Sequence, residues 1–175
     1  MYDTGSGLSE QQVEAFTNSE LGVKEGNMGI SDITIKASGK YNYNPDTKVF
    51  NDPSRPGTNI GGYTTRSPWT GRVSVHISTR ATMNPILLKG TLIHEFTHAY
   101  HFFKEYDLHY GEKIFRNSTE NSAINAERNY YSSFKSISSY ARSCIDNCNI
   151  YQQQFLSPHP ISWDSPFRNF KVITF

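Results

Sequence analysis

Long apolar stretches are missing from this sequence of 175 residues. No run approaches the roughly 18 apolar residues of a transmembrane helix, and residues 1–4 lack the basic start and apolar stretch of a secretory signal peptide. The charges nearly cancel, with 17 basic and 16 acidic residues. This balance argues against the strongly basic surface that binds nucleic acid or anionic lipid. We therefore expect no membrane span and no nucleic-acid partner.

Cysteine is also scarce, because only Cys144 and Cys148 occur. Two thiols make a poor metal site by themselves, so we interpret them as ordinary thiols or one local disulfide. A chain of this length buries a core without such staples, and we expect a single domain over residues 1–175. Residues 3–7, Asp-Thr-Gly-Ser-Gly, resemble the end of a linker, which favours the C-terminal module of a longer protein.

Strands are predicted mainly in the first half of the chain. Alternating apolar residues bounded by turn residues indicate them at residues 30–37, 41–43, 48–50 and 71–78. Between the last two strands, residues 51–62 are rich in Asn, Pro and Gly, so we expect a surface loop there.

Helices are predicted from their capping residues and apolar spacing. Ser9 and Gln12 form a capping-box pattern that begins a helix ending near residue 21. Asn84 followed by Pro85 is a typical helix start, and apolar residues at helical spacing follow it. After an irregular stretch over residues 106–115, we expect a second long helix from residue 117 or 118 to residue 142.

The helix that begins at Asn84 carries the most informative pattern, the run His94-Glu95-Phe96-Thr97-His98. Residues four apart lie on the same helical face, so both histidines can present a ring nitrogen to one metal ion. Glu95 projects beside that ion, where it can take a proton from a metal-activated water and return it to a leaving amine. The H-E-x-x-H pattern therefore predicts zinc-dependent hydrolysis of peptide bonds.

A third metal ligand has to come from outside this motif. Catalytic zinc usually has three protein ligands and keeps a fourth position for water. The second long helix carries Glu120 and Glu127 two turns apart on one face, and either carboxylate can complete the site. Glu120 has another interpretation, because Asn117 three residues earlier gives the spacing of a capping box.

Residues 90–102, together with Glu120-x-x-Ala123 on the next helix, resemble the zincin metallopeptidases whose third ligand is a glutamate. They are similar in particular to the effector and toxin peptidase domains at the C-terminal ends of RHS-type and other polymorphic bacterial toxins. The resemblance covers residues 73–131, about a third of the chain.

This resemblance implies an α+β, zincin-like fold, in which a small, partly antiparallel sheet packs on the active-site helix and the second long helix lies opposite. The strand at residues 73–78 would pair with an extended peptide substrate. The expected partners are a protein or peptide substrate and an immunity protein, and the chain would be a secreted or delivered effector. The implied cofactor is Zn²⁺, held by His94, His98 and Glu120, with Glu127 as the alternative third ligand.

Two other function classes stay open. A catalytically inactive, zincin-like metal-binding or interaction module would keep the histidines but would not need Glu95 as a base. A nuclease would use the histidines for phosphodiester cleavage, although the chain lacks basic clusters. His76, His101 and His109 are further candidates for substrate contacts. A helical rise of about 10.5 Å places His101 too far from His94 to share one ion.

Overall fold

The computed structural model of the protein describes residues 7–24, 30–34, 42–44, 46, 49–51, 59–132 and 161–167. Within them the chain is α+β, with helices and strands that largely follow the predicted order. The cysteine pair and the predicted end of the second long helix at residue 142 lie outside the described residues. No helix of the described part combines the length and the apolarity that a membrane span requires.

The strands of the described residues precede the two long helices in the chain. In chain order, the regular elements are α1 (Glu10–Leu21), β1 (Ile30–Thr34), β2 (Asn42–Asn44), β3 (Val49–Asn51), β4 (Asn59–Ile60), β5 (Gly62–Arg66), β6 (Val73–Ile77), a single 3₁₀ turn (Ala81–Met83), α2 (Pro85–Phe103), α3 (Tyr106–His109) and α4 (Glu112–Ser132).

Helix α1 begins and ends where its capping residues predict. The Ser9 side chain accepts a hydrogen bond from the Gln12 backbone, and the Gln12 side chain accepts one from the Ser9 backbone. Gly22 ends the helix in the left-handed conformation, with φ of 64°, which glycine adopts without steric cost. The predicted capping box is therefore confirmed.

The strands of the described residues form two sheets of three strands each. In the first sheet, β6 lies in the centre, with β1 parallel on one side and β5 antiparallel on the other. The second sheet is antiparallel, in the order β2-β3-β4. The predicted loop over residues 51–62 is wrong in part, because residues 59–60 form β4 and residue 62 begins β5.

The position of β6 corrects one expectation about substrate binding. Strand β6 is paired with β1 on one side and with β5 on the other. Its backbone N–H and C=O groups are therefore used within the sheet and are not available to a peptide. Among the described strands, β1 and β5 lie at the two edges of this sheet, and β5 is the one that contacts the motif residue Glu95. The alternation predicted for β6 is confirmed, because Val73, Val75 and Ile77 are buried in the core.

Helix α2 forms the centre of the domain and contacts β5, β6 and α4. The Asn84 side chain caps its start by accepting hydrogen bonds from the backbone of Ile86 at 2.9 Å and Leu87 at 3.2 Å. Its apolar face packs into the hydrophobic core that β6 lines, through Leu88, Leu92, Ile93, Phe96 and Ala99.

Helix α4 starts earlier than its capping signals indicate. It begins at Glu112, and the short helix α3 precedes it, so the irregular stretch predicted over residues 106–115 is wrong. Asn117 therefore lies inside the helix, and the capping-box interpretation of Glu120 does not hold. Ser118, which looked like a helix start, instead accepts a hydrogen bond from the backbone of Ile161 at 3.1 Å.

Close contact between α2 and α4 depends on a glycine. A methyl group at Gly90 would overlap the Tyr131 ring, so the absence of a side chain lets α4 approach α2 at this level. Residues 161–167, which we call the C-terminal strap, pack on the same two helices. The strap is anchored by Trp163, whose ring contacts Tyr106, Tyr110, Phe115 and His101.

Candidate metal centre

Three predicted ligands come together between α2 and α4. His94 and His98 lie one turn apart on α2, and Glu120 reaches them from α4. Each offers one ligand atom, and these atoms all lie within 4.8 Å of one another. The Nε2 atom of His94 is 3.5 Å from Glu120 Oε2, and that of His98 is 3.7 Å from Glu120 Oε1.

The outer nitrogen of the His94 ring faces a carboxylate. His94 Nδ1 lies 3.0 Å from Oε2 of Glu127. A carboxylate accepts hydrogen bonds, so the Nδ1–H donates and Nε2 points toward Glu120. Glu127, the alternative third ligand, therefore lies on the far side of His94 and is not part of the three-residue group.

The outer nitrogen of the His98 ring faces a hydroxyl instead. His98 Nδ1 lies 2.7 Å from the Thr119 side-chain oxygen. The two histidine rings are nearly perpendicular, with an interplanar angle of 75° and centroids 4.8 Å apart. Both rings thus turn their Nε2 atoms to the same carboxylate.

Glu95 lies beside this group but is held by β5. Its side chain is only 3% exposed, and Oε2 accepts a hydrogen bond from the Thr64 hydroxyl at 2.8 Å. A methyl group added at Gly62 would lie 2.9 Å from Glu95 Cγ and 2.9 Å from the His76 carbonyl oxygen. The sequence alone predicted no role for Gly62 or Thr64. The run Gly-Tyr-Thr-Thr at residues 62–65 nevertheless carries the β-branched residues typical of a strand.

The pKa values of the two histidines are shifted in opposite directions. Burial alone would lower the pKa of His94, but hydrogen bonds to Glu120 and Glu127 outweigh it and raise that pKa well above 6.5. Burial lowers the pKa of His98 to about 3. Burial also raises the pKa of Glu95 to about 7, against the opposing effects of His94 and the Thr64 hydrogen bond.

The group has the donor set and spacing of a zinc site. Two imidazole nitrogens and one carboxylate are the ligands of a common class of catalytic zinc centre. Ligand atoms about 2.0–2.1 Å from a tetrahedral zinc lie roughly 3.3–3.5 Å apart. The nitrogen–oxygen distances of 3.5 and 3.7 Å, each to a different oxygen of Glu120, are close to this spacing, and all ligand atoms lie within 4.8 Å of one another. The residue types and their approximate spacing therefore fit the ion.

The other candidate histidines lie outside the group. His101 is fully buried and contacts Thr119 and the strap. His76 packs on Tyr63, with ring centroids 4.5 Å apart, and His109 is exposed at the end of α3.

Compared with known proteins, the chain matches no family model, no curated protein and no solved structure. The resemblance to zincins therefore depends on the motif residues, and any function assigned to the chain depends on the geometry of this site.

Proposed function

We propose that the protein is a zinc-dependent metalloendopeptidase with a zincin-like fold. His94, His98 and Glu120 would hold the ion, and Glu95 would act as general base and then as general acid. One observation carries this proposal: two histidine Nε2 atoms face one carboxylate, and a buried fourth side chain, Glu95, is close enough to interact electrostatically with His94 and Glu120. A purely structural metal site would not need that additional glutamate.

A zinc ion at this position would polarise a water molecule and lower its pKa toward neutrality. Glu95 would accept the proton of that water and deliver it to the amine that leaves. A general base works best when its pKa lies near the working pH, and burial raises the Glu95 pKa to about 7 before the charge of an ion acts on it. The Thr64 hydroxyl, 2.8 Å from Oε2, holds the carboxylate in position for both transfers.

An extended peptide could reach the centre along β5. This strand has one neighbour, β6, among the described strands, so it offers an edge to which a substrate strand can add. Thr64 on the same strand contacts Glu95, so a peptide paired with β5 would pass close to the proposed base. Substrate pairing therefore moves from β6 to β5 in this proposal.

The biological setting follows from the resemblance to toxin peptidase domains. In that setting the chain is a secreted or delivered bacterial effector, its substrates are proteins of a host or rival cell, and an immunity protein is its second partner. Cell-wall peptides are the alternative substrate class.

Replacement of Glu95 by Gln tests the proposal. We expect the variant to keep zinc, measured by mass spectrometry of the purified protein, and to lose about 100- to 10,000-fold in peptide cleavage, the usual contribution of a general base. The readout is a fluorogenic peptide library, and Glu112→Gln on the exposed start of α4 is the matched control.

Two outcomes would contradict the proposal. Undiminished cleavage by Glu95→Gln would remove the proposed base. A zinc-loaded wild-type protein that cleaves no peptide of the library would favour the alternative of a catalytically inactive metal-binding module.

A further inference from the structure

His101 is a buried histidine that the proposed reaction does not use. It lies one turn beyond His98 on α2, and none of its surface is exposed. Its Nδ1 atom is 2.8 Å from the Thr119 side-chain oxygen, and its Nε2 atom is 2.9 Å from the backbone carbonyl of Asp164 in the strap. The same Thr119 oxygen is 2.7 Å from His98 Nδ1. These contacts form a buried hydrogen-bond chain from the strap to a predicted ligand.

The positions of the hydrogens in this series of hydrogen bonds follow from its first member, the Asp164 carbonyl. A backbone carbonyl only accepts, so the hydrogen of His101 is on Nε2 and is donated to Asp164. Full burial favours the neutral imidazole, which leaves Nδ1 of His101 as an acceptor.

The hydroxyl of Thr119 then transmits this arrangement to His98. A hydroxyl has one hydrogen, and donation to His101 Nδ1 uses it. The Thr119 oxygen can then only accept from His98, so the hydrogen of His98 is on Nδ1. The Nε2 atom of His98 is left with its lone pair directed at Glu120.

We propose that His101 and Thr119 are positioning residues, and that with the Asp164 carbonyl they hold His98 in the tautomer that binds metal. This inference rests on the metal centre of the proposed function. It also makes the strap part of that centre, although the strap lies far along the chain from the motif.

The strap is seated well enough to hold the carbonyl in place. The backbone N–H of Ile161 donates to Ser118, and that of Trp163 donates to Ser122 at 3.2 Å. The side-chain oxygens of Thr97 and Ser165 lie 2.9 Å apart, which ties the strap to α2 on the other side of Asp164. The Trp163 ring also packs edge-on against His101, with centroids 5.3 Å apart.

The tautomer of His98 can be measured directly by NMR on ¹⁵N-histidine-labelled, zinc-free protein. Two-bond ¹H–¹⁵N correlations distinguish a hydrogen on Nδ1 from one on Nε2, and His98→Gln assigns the signals. We expect the hydrogen on Nδ1 in the wild type, although the nearby Glu120 carboxylate favours the opposite tautomer. A wild-type His98 that carries its hydrogen on Nε2 would overturn the proposal, whatever the variants do.

Variants of Thr119 test the consequence for zinc affinity, measured by chelator competition. Thr119→Val keeps the shape but removes the hydroxyl, so His98 should shift to the Nε2–H tautomer and zinc affinity should fall about 10- to 100-fold. Thr119→Ser should restore both readouts. Thr17→Val is the matched control, because it removes a buried hydroxyl in α1 that contacts neither the strap nor a ligand ring.

A Thr119→Val affinity equal to that of the wild type would contradict the proposal, as would an equal loss in Thr17→Val. Failure of the proposed function looks different. A protein with the Nδ1–H tautomer and tight zinc binding but no peptide cleavage would refute the peptidase and leave this inference intact.

Discussion

The two sides of the α2–α4 pair are built from different chemistry. On one side, which we call the metal side, His94 lies between the carboxylates of Glu120 and Glu127, and all three side chains are in part exposed to solvent. On the strap side, His101 and Thr119 are buried and form hydrogen bonds to neutral groups.

This difference follows from the cost of burying charge. An ion pair taken out of water loses solvation that its partner only partly restores, whereas a fully hydrogen-bonded neutral group loses much less. The ionisable groups around His94 therefore keep some contact with water, and the strap side uses hydroxyls and a carbonyl. We expect the aromatic anchor of the strap to contribute most to stability, and the carboxylates on the metal side to contribute to metal binding and catalysis.

The largest effect on stability should come from the anchor of the strap. Trp163→Ala removes a side chain that is 6% exposed and should lower the free energy of unfolding by about 3–5 kcal/mol. Trp69, the only other tryptophan, is 94% exposed and serves as the control. Trp69→Ala should change the free energy by less than about 0.5 kcal/mol. Urea unfolding followed by circular dichroism measures both, and equal losses would refute the role of the strap.

On the metal side, Glu120 and Glu127 should differ in their effect on zinc affinity. Glu127→Gln loses a charged partner of His94, and affinity should fall about 10- to 100-fold. Glu120→Gln loses a ligand, so its affinity should fall further than that of Glu127→Gln. Chelator competition compares them, and a larger loss in Glu127→Gln would assign the third ligand to Glu127.

A substitution at Gly62 should lower peptide cleavage without changing zinc affinity. A methyl group at this position would lie 2.9 Å from the His76 carbonyl oxygen, which belongs to the backbone and cannot easily move, so Gly62→Ala should displace Glu95 instead. A shift of about 1 Å in a reacting group costs about 100-fold in rate. Peptide cleavage should therefore fall by that factor while zinc affinity stays unchanged. Gly61→Ala, with its nearest neighbour at 3.4 Å, is the control that should keep both.

The smallest expected effect is the release of protons when zinc binds. His94, whose pKa is raised well above 6.5, holds a proton at pH 7 that zinc must displace, whereas His98, with a pKa of about 3, is already neutral. Zinc binding at pH 7 should therefore release about one proton from His94 and a fraction from Glu95, and zinc affinity should fall as the pH is lowered. Calorimetry in two buffers of different ionisation enthalpy gives this count. A release of no protons would contradict the assigned charge of His94.

Much of the framework could be predicted because its signals are local. The capping box at Ser9, the start of α2 at Asn84 and the alternation in β6 each depend on neighbours a few residues away. The placement of His94 and His98 on one helical face is also a local signal, because it depends only on their spacing of four residues.

The errors fell where local signals compete with tertiary contacts. Asn117 and Ser118 resemble helix starts, but Ser118 uses its hydroxyl to hold the strap while the helix continues through it. β5 follows a stretch rich in glycine and was not predicted, and its pairing with β6 decides its structure.

The sequence by itself determined that two histidines and a glutamate share one helix in the pattern of a zinc peptidase, because helical periodicity sets which side chains lie together. Only the tertiary structure decided that Glu120 faces both rings, that Glu127 bonds the outer nitrogen of His94, and that His101 connects the strap to Thr119. These choices depend on how closely α4 packs against α2 at Gly90 and on where residues 161–167 return, and no local pattern encodes the distance between segments so far apart in the chain.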